Sequence, residues 1–375
     1  QLMQMAIDVA GFTAAEADKL RQAMGSKRSV ERMEALKARL YEGMAVRGIT
    51  GEVADQIWEK LVAFSSFGFP ESHSVSFAYL VYASSWLKHY YPAAFLAALL
   101  NAQPMGFWAP RTLVMDARRH GVKVLGVDIN ASSDKATLET FEGDVAVRVG
   151  IGYVRTIGED LAEKIALGRH YSDMEDLSRR CDLKVPQMEA LATAGAFDCF
   201  GLTRREALWA AGVVARSKEN QLANLVTGAD SPALPGMTAI EQASADFWST
   251  SLSPDCSPVE FVRPALKKKG VLSAKDLETA PPNRTVKVGG VVTHRQKPAT
   301  AGGTVFVSLE DETGLMNVIC QKQVWARYKR VATTSKALLI TGRLERYDGV
   351  INLLASKIEP LSLTMASELK ARDFR

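Results

Sequence analysis

Three clusters in this sequence hold residue types that could grip an anion, and none places a nucleophile and base for breaking covalent bonds. In Leu20-Arg21-Gln22-Ala23-Met24-Gly25-Ser26-Lys27-Arg28, cations and a glycine sit where one helical pattern ends and another opens at Ser29. Fixed charge beside the free amides of a helix start suits a triphosphate. The same cations would also complement the dipole of a helix C-terminus. In Phe67-Gly68-Phe69-Pro70-Glu71-Ser72-His73-Ser74-Val75-Ser76-Phe77, Ser72 and His73 stand at a helix start. There they could donate to an anion or simply cap the helix. No base and nucleophile are placed for hydrolysis.

The third cluster is Gly152-Tyr153-Val154-Arg155-Thr156-Ile157-Gly158-Glu159, followed by a helix over Asp160–Leu167. An apolar residue and a glycine between two short helices expose amides that can hold a DNA phosphate without reading bases. Ile157 and Gly158 would form that turn, with Arg155 and Lys164 adding charge. A weaker second copy falls within Asp176–Thr193, around Leu183 and Val185. A plain helical hairpin is the competing reading.

Those clusters need elements to carry them, and the spacing supplies mostly helices. Thr13-Ala14-Ala15-Glu16 is a capping box, opening a helix with Ala17, Leu20 and Met24 inward and Gly25 at its end. A second runs from Ser29 with Met33, Leu36, Leu40 and Met44 on one face and closes at Gly48. Thr50 opens a third with Val53, Ile57 and Leu61 inward. Others follow over Ser74–Tyr90, Ala93–Leu100 and from Pro110 to Gly121. Strand alternation appears at Val122–Val127 and Val145–Val149, then four short helical pieces between Gly152 and Phe200. Lys218–Ala243 is polar, contains Pro232, Pro235 and Gly236, and reads largely as linker.

From Arg284 onward the alternation is β: Val286–Val292, Thr304–Leu309, Leu315–Cys320, Ala337–Leu344 and Val350–Ile358, with a helix over Trp325–Val331. Five strands with a helix between the third and fourth is the layout of an OB barrel. Such barrels hold single strands by stacking bases on aromatics and steering phosphates with cations. Phe306, with His294, Arg295 and Lys297 at the first loop, is the candidate set. Trp325 and Tyr328 read as core. Glu310-Asp311-Glu312 reads as an acidic turn before Gly314 in preference to a metal site. The fold class is therefore multidomain, mainly α, followed by an all-β barrel.

Composition bounds the rest. The 375 residues exceed one ordinary domain, hydrophobic residues make up 47%, and the formal net charge is +4. A mild positive balance is compatible with nucleic acid and does not require it. Cys181, Cys199, Cys256 and Cys320 form no CxxC or zinc spacing and fit the reduced thiols of a cytoplasmic protein. The longest apolar run, Tyr91–Leu100, falls short of a membrane span and contains Pro92. A sequence that opens at Gln1 inside a helical pattern is expected to be part of something longer.

Taken together, Ala17–Gly25, Gly68-Phe69-Pro70-Glu71-Ser72-His73-Ser74 and Trp86-Leu87-Lys88-His89-Tyr90-Tyr91-Pro92-Ala93-Ala94-Phe95 resemble the fingers domain of bacterial C-family DNA polymerases, the DNA polymerase III alpha type. Ala98-Leu99-Leu100-Asn101-Ala102-Gln103-Pro104-Met105-Gly106-Phe107-Trp108 is similar to the error-prone, damage-inducible branch of that family. The resemblance extends through Val292-Thr293-His294-Arg295-Gln296-Lys297-Pro298-Ala299-Thr300 to Arg372-Asp373-Phe374-Arg375.

It implies helical fingers over 1–149, helix-hairpin-helix DNA binding over 150–202, a connector over 203–283, the OB barrel over 284–360 and a tail over 361–375. It implies a DNA-directed DNA polymerase, a nucleotidyltransferase of DNA replication and repair that works across damaged template. The dNTP would meet Arg21, Lys27, Arg28, Ser72 and His73, with Gln22 standing where the replicative subunit often carries a second arginine. Primer–template and single-stranded DNA are the implied partners, with accessory mutagenesis proteins and, through them, the sliding clamp. Gln242–Phe247 is a degenerate echo of a clamp-binding peptide. No Asp-x-Asp occurs in the chain, so the implied Mg²⁺ ions belong to a palm domain preceding Gln1 and this segment is expected to be inactive alone. The alternatives are a replicative alpha-subunit fragment and a non-enzymatic nucleic-acid-binding module.

Overall fold

The computed structural model describes residues 2–24, 29–65, 71–216, 230–298, 301–363 and 372–374. They fall into two compact units, Gln1–Ser85 with Lys297–Thr304, and Trp86–Gln296 with Val305–Phe374.

The first unit is helical: α1 (Leu2–Ala10), α2 (Ala14–Met24), α3 (Ser29–Val46), α4 (Glu52–Ser65) and the start of α5 (Glu71–Tyr90). The capping box forms as expected, with the Thr13 amide donating to Glu16 Oε2 at 2.7 Å and the Glu16 amide to Thr13 Oγ1 at 3.2 Å. Gly48 closes the turn after α3 at φ 77°, a left-handed conformation that suits glycine. Ala17, Leu20, Met33, Leu40, Met44 and Leu61 share one core. On α4 the inward stripe is Ala54, Trp58 and Leu61. Val53, expected inside, is 59% exposed because the larger indole of Trp58 sets the helix rotation.

The second unit opens with α6 (Pro92–Asn101) and α7 (Pro110–Arg119), then a three-stranded sheet in the order β1 (Val124–Leu125), β3 (Asp144–Arg148), β2 (Thr137–Phe141). Helices α8 (Glu159–Leu167), α9 (Met174–Cys181), α10 (Val185–Thr193) and α11 (Arg204–Val214) follow. One apolar core runs from Ala93 to Leu252, across the limits expected at Val149 and Leu202.

The region expected as connector holds further structure. α12 (Ala239–Thr250) starts at a Thr238–Glu241 capping box, and α13 (Arg263–Lys268), β4 (Val271–Leu272) and α14 (Ala274–Thr279) lead into the barrel. The barrel is β5 (Thr285–Gln296), β6 (Val305–Glu310), β7 (Leu315–Cys320), α15 (Lys322–Thr334), β8 (Ala337–Tyr347) and β9 (Val350–Pro360). β5 pairs with both β6 and β8, and β7 pairs in parallel with β9, so the sheet closes on itself. Trp325 and Tyr328 of α15 pack on its core, as expected. β10 (Arg372–Phe374) lies parallel to β5, so the tail also contributes backbone pairing.

Candidate nucleic-acid interface

Two short turns project from the helical core. In the first, Thr156 takes a left-handed φ of 69°, Ile157 is buried, and Gly158 caps α8. In the second, Asp182 takes φ 52°, Leu183 is buried, and Lys184 caps α10. Thr156 Oγ1 donates to the Pro186 carbonyl at 3.4 Å, so the turns lie side by side. Each therefore presents a helix start, the positive end of its dipole.

Their charges differ. The first turn of α8 holds Glu159 and Asp160, whereas that of α10 holds no acid and is preceded by the exposed Lys184. Arg155 is exposed at the first turn, turned onto Trp248. Its guanidinium lies 4.2 Å from the Trp248 ring centroid, and its amide donates to the Ser249 carbonyl at 2.8 Å. Lys164 is exposed near the far end of α8. Ile157, expected with Gly158 to form the phosphate-holding turn, has its side chain buried, so only the backbone of this turn faces outward. The sequence reading passed over Lys184, although a lysine directly before Val185-Pro186 at a helix start was the available signal.

On the barrel, Phe306 is 39% exposed and pairs across the sheet with Gln296 and Ile319. His294 sits between Ser308 Oγ, 3.1 Å from its Nε2, and Thr293 Oγ1, 3.2 Å from its Nδ1. The rings of Phe107 and Trp108 stand 5.4 and 5.9 Å from it. Burial lowers the imidazole pKa from its ordinary value and so favours the neutral ring. Arg295 differs from the expected DNA contact. It is buried, and its guanidinium donates to the Ala332 and Ser335 carbonyls at 2.7 Å each, satisfying the end of α15. Lys297 is exposed.

The acidic run is structural. Asp311 is fully buried and accepts from the amides of Thr313, Gly314 and Ala274 at 2.8, 3.0 and 2.9 Å, and from Arg263 at 2.8 Å. Arg263 also pairs with Glu312. Glu310 accepts from Thr112 at 2.9 Å and from Arg119 at 3.3 Å, tying α7 to the barrel. Arg111 is buried nearby, and burial lowers its pKa against the opposing charge of Glu310. Among the described residues no group of three His, Cys, Asp or Glu side chains could hold a metal ion. Gln242–Phe247 lies in α12 with Phe247 buried and Asp246 paired to Arg204 at 2.7 Å, so it offers no exposed peptide.

In the first unit, Arg21 lies in the last turn of α2, with its side chain 58% exposed and Nε 2.8 Å from Asp18 Oδ1. Gln22 donates to the other Asp18 oxygen at 2.7 Å. Lys27 and Arg28 lie outside the described residues. Ser72 and His73 fall in the first turn of α5, and their side chains lie outside the description.

Three families match segments of the chain. Residues 1–48 match the bacterial DNA polymerase III alpha subunit finger domain, 121–207 the helix-hairpin-helix motif, and 286–361 the OB-fold nucleic acid binding domain. All of the chain aligns with an error-prone DNA polymerase of Nocardia farcinica at 54% identity, covering 34% of that protein. The corresponding figures are 52% and 34% for the error-prone DNA polymerase of Mycolicibacterium paratuberculosis, and 46% and 35% for that of Corynebacterium glutamicum. The chain spans about a third of the length of the curated relatives it matches. No helix among the described residues is long and apolar enough to cross a membrane.

Proposed function

We propose that this chain, homologous along its whole length to error-prone DNA polymerases, is a C-terminal portion of such an enzyme that holds primer–template DNA and meets the incoming dNTP. The observation that carries the reading is the 52–54% identity maintained across the entire chain. The parent activity is template-directed addition of deoxynucleotides, including across damaged template. Mg²⁺ is held outside this segment, and dNTP binding involves Arg21 with Lys27, Arg28, Ser72 and His73. Accessory mutagenesis proteins, and through them the sliding clamp, are the further partners the resemblance suggests.

Physical features support the reading. The paired hairpins supply helix starts for backbone phosphates, and the barrel offers Phe306 for stacking. α5 is uncharged from Ser72 to Leu87 and exposes Val75, Phe77, Tyr79 and Tyr82. Exposed apolar side chains grouped on one helix fit a surface that a further domain or partner covers.

The test is direct. The 375-residue chain should bind labelled primer–template with steep salt dependence and fail to extend it with dNTPs and Mg²⁺. Absence of binding at low salt removes the DNA-holding role, and template-dependent extension removes the assignment of the catalytic ions elsewhere. In the full-length enzyme, Arg21→Ala should lower kcat/KM for dNTP about tenfold while leaving DNA affinity unchanged. A non-enzymatic module predicts no such split.

A further inference from the structure

We infer that the cavity between α6, α7 and the start of β7 holds one unstacked nucleobase of a single strand lying along the β6–β7 face of the barrel. The inference rests on the proposal that the barrel binds single-stranded DNA. The cavity encloses about 420 Å³. Phe95 and Leu99 of α6, Leu113 of α7, Trp108 and Leu315 of β7 form its walls. Apolar and aromatic walls replace the stacking partners that a base leaves behind, and the volume lies in the range of small-ligand sites. At the rim, Asp116 is paired with Lys88 at 2.7 Å, and His120 Nδ1 lies 2.7 Å from the Asp116 carbonyl oxygen. The rim therefore offers both a donor, Lys88, and an acceptor, Asp116, to the polar edge of a base.

Continuity with the barrel face selects a nucleobase over an apolar peptide. Leu315 pairs with Glu310, Asn317 with Ser308 and Ile319 with Phe306. These alternate residues share the outward side of the sheet, while Met316, Val318 and Cys320 point into the core. Four residues of strand separate Ile319 from Leu315, about 13 Å, the length of about four stacked nucleotides. Trp108 stands at the junction, in ring contact with His294, which is itself hydrogen-bonded to Ser308 on β6. One surface thus runs from the exposed ring of Phe306 to the mouth of the cavity.

The experiment uses the 375-residue chain and thymine-rich single strands carrying one 2-aminopurine at successive positions. One position should give a fluorescence response unlike its neighbours. Leu99→Trp, which fills the cavity from α6, should abolish that response and weaken binding about fivefold. Trp108→Ala removes a partly exposed wall and should flatten the response likewise if Leu99→Trp does not fold. Phe306→Ala should weaken binding wherever the probe sits. A strand that binds and depends on Phe306, yet responds uniformly or ignores both cavity variants, overturns the inference and leaves the barrel's role intact. Occupation by an apolar peptide that leaves a bound strand's probe response unchanged also overturns it. Failure of the unaltered chain to bind single strands removes the barrel reading and this one with it.

Discussion

Thr156-Ile157-Gly158 and Asp182-Leu183-Lys184 turn the chain the same way: a left-handed residue, a buried aliphatic, then the cap of a helix. They part company one residue later. α8 begins Glu159-Asp160 and α10 begins Val185-Pro186. Acids in a first turn stabilise their own helix through its dipole but oppose a second anion there. The first hairpin therefore has the geometry of a phosphate site with its field partly cancelled, and the second keeps the field and adds Lys184. Similar backbone does not imply similar function, and charge in the next turn decides between them.

The largest effects should be shared, because packing is what the hairpins have in common. Leu183→Ala and Ile157→Ala should each lower stability by about 2–5 kcal/mol, measured by denaturant unfolding. A loss confined to one of them would mean that the two turns are not equivalent structurally. The next effect separates them. Neutralising α8 with Glu159→Gln and Asp160→Asn should tighten primer–template binding by a few-fold, from about 0.3–1 kcal/mol per charge, while slightly destabilising the helix. Unchanged or weaker binding would show that no phosphate approaches that helix start. The smallest effect concerns strain. Thr156→Gly should raise stability by about 1 kcal/mol by relieving a left-handed threonine, and a drop would show that the Thr156 bond to Pro186 outweighs the strain.

Much of this was legible in the sequence where the signal is local. The Thr13–Glu16 box, the helices of the first unit, the five barrel strands and the hairpin at Ile157-Gly158 all follow from spacing within a few residues. Thr238-x-x-Glu241 carried the same capping signal and was obscured by the prolines before it, so α12 was missed. What local spacing does not encode is pairing between distant elements. The acidic turn was readable, but its partners Arg263 and Thr112 lie far away in sequence. His294 and Arg295 look like DNA-facing cations by type. β5 is covered on both sides, by β6 and β10 along its edges and by α15 and Phe107-Trp108 at these side chains, and that burial favours the neutral form of one and makes the other a helix cap.

The most direct test of the division between the hairpins is the salt dependence of primer–template binding, compared among the unaltered chain, Lys184→Ala and Arg155→Ala. Each phosphate contact contributes about 0.9 to the slope of log affinity against log salt. Lys184→Ala should reduce the slope by about that amount and weaken binding at low salt, whereas Arg155→Ala, whose guanidinium is stacked on Trp248, should leave the slope unchanged. A slope that falls with Arg155→Ala and stays constant with Lys184→Ala would contradict the account.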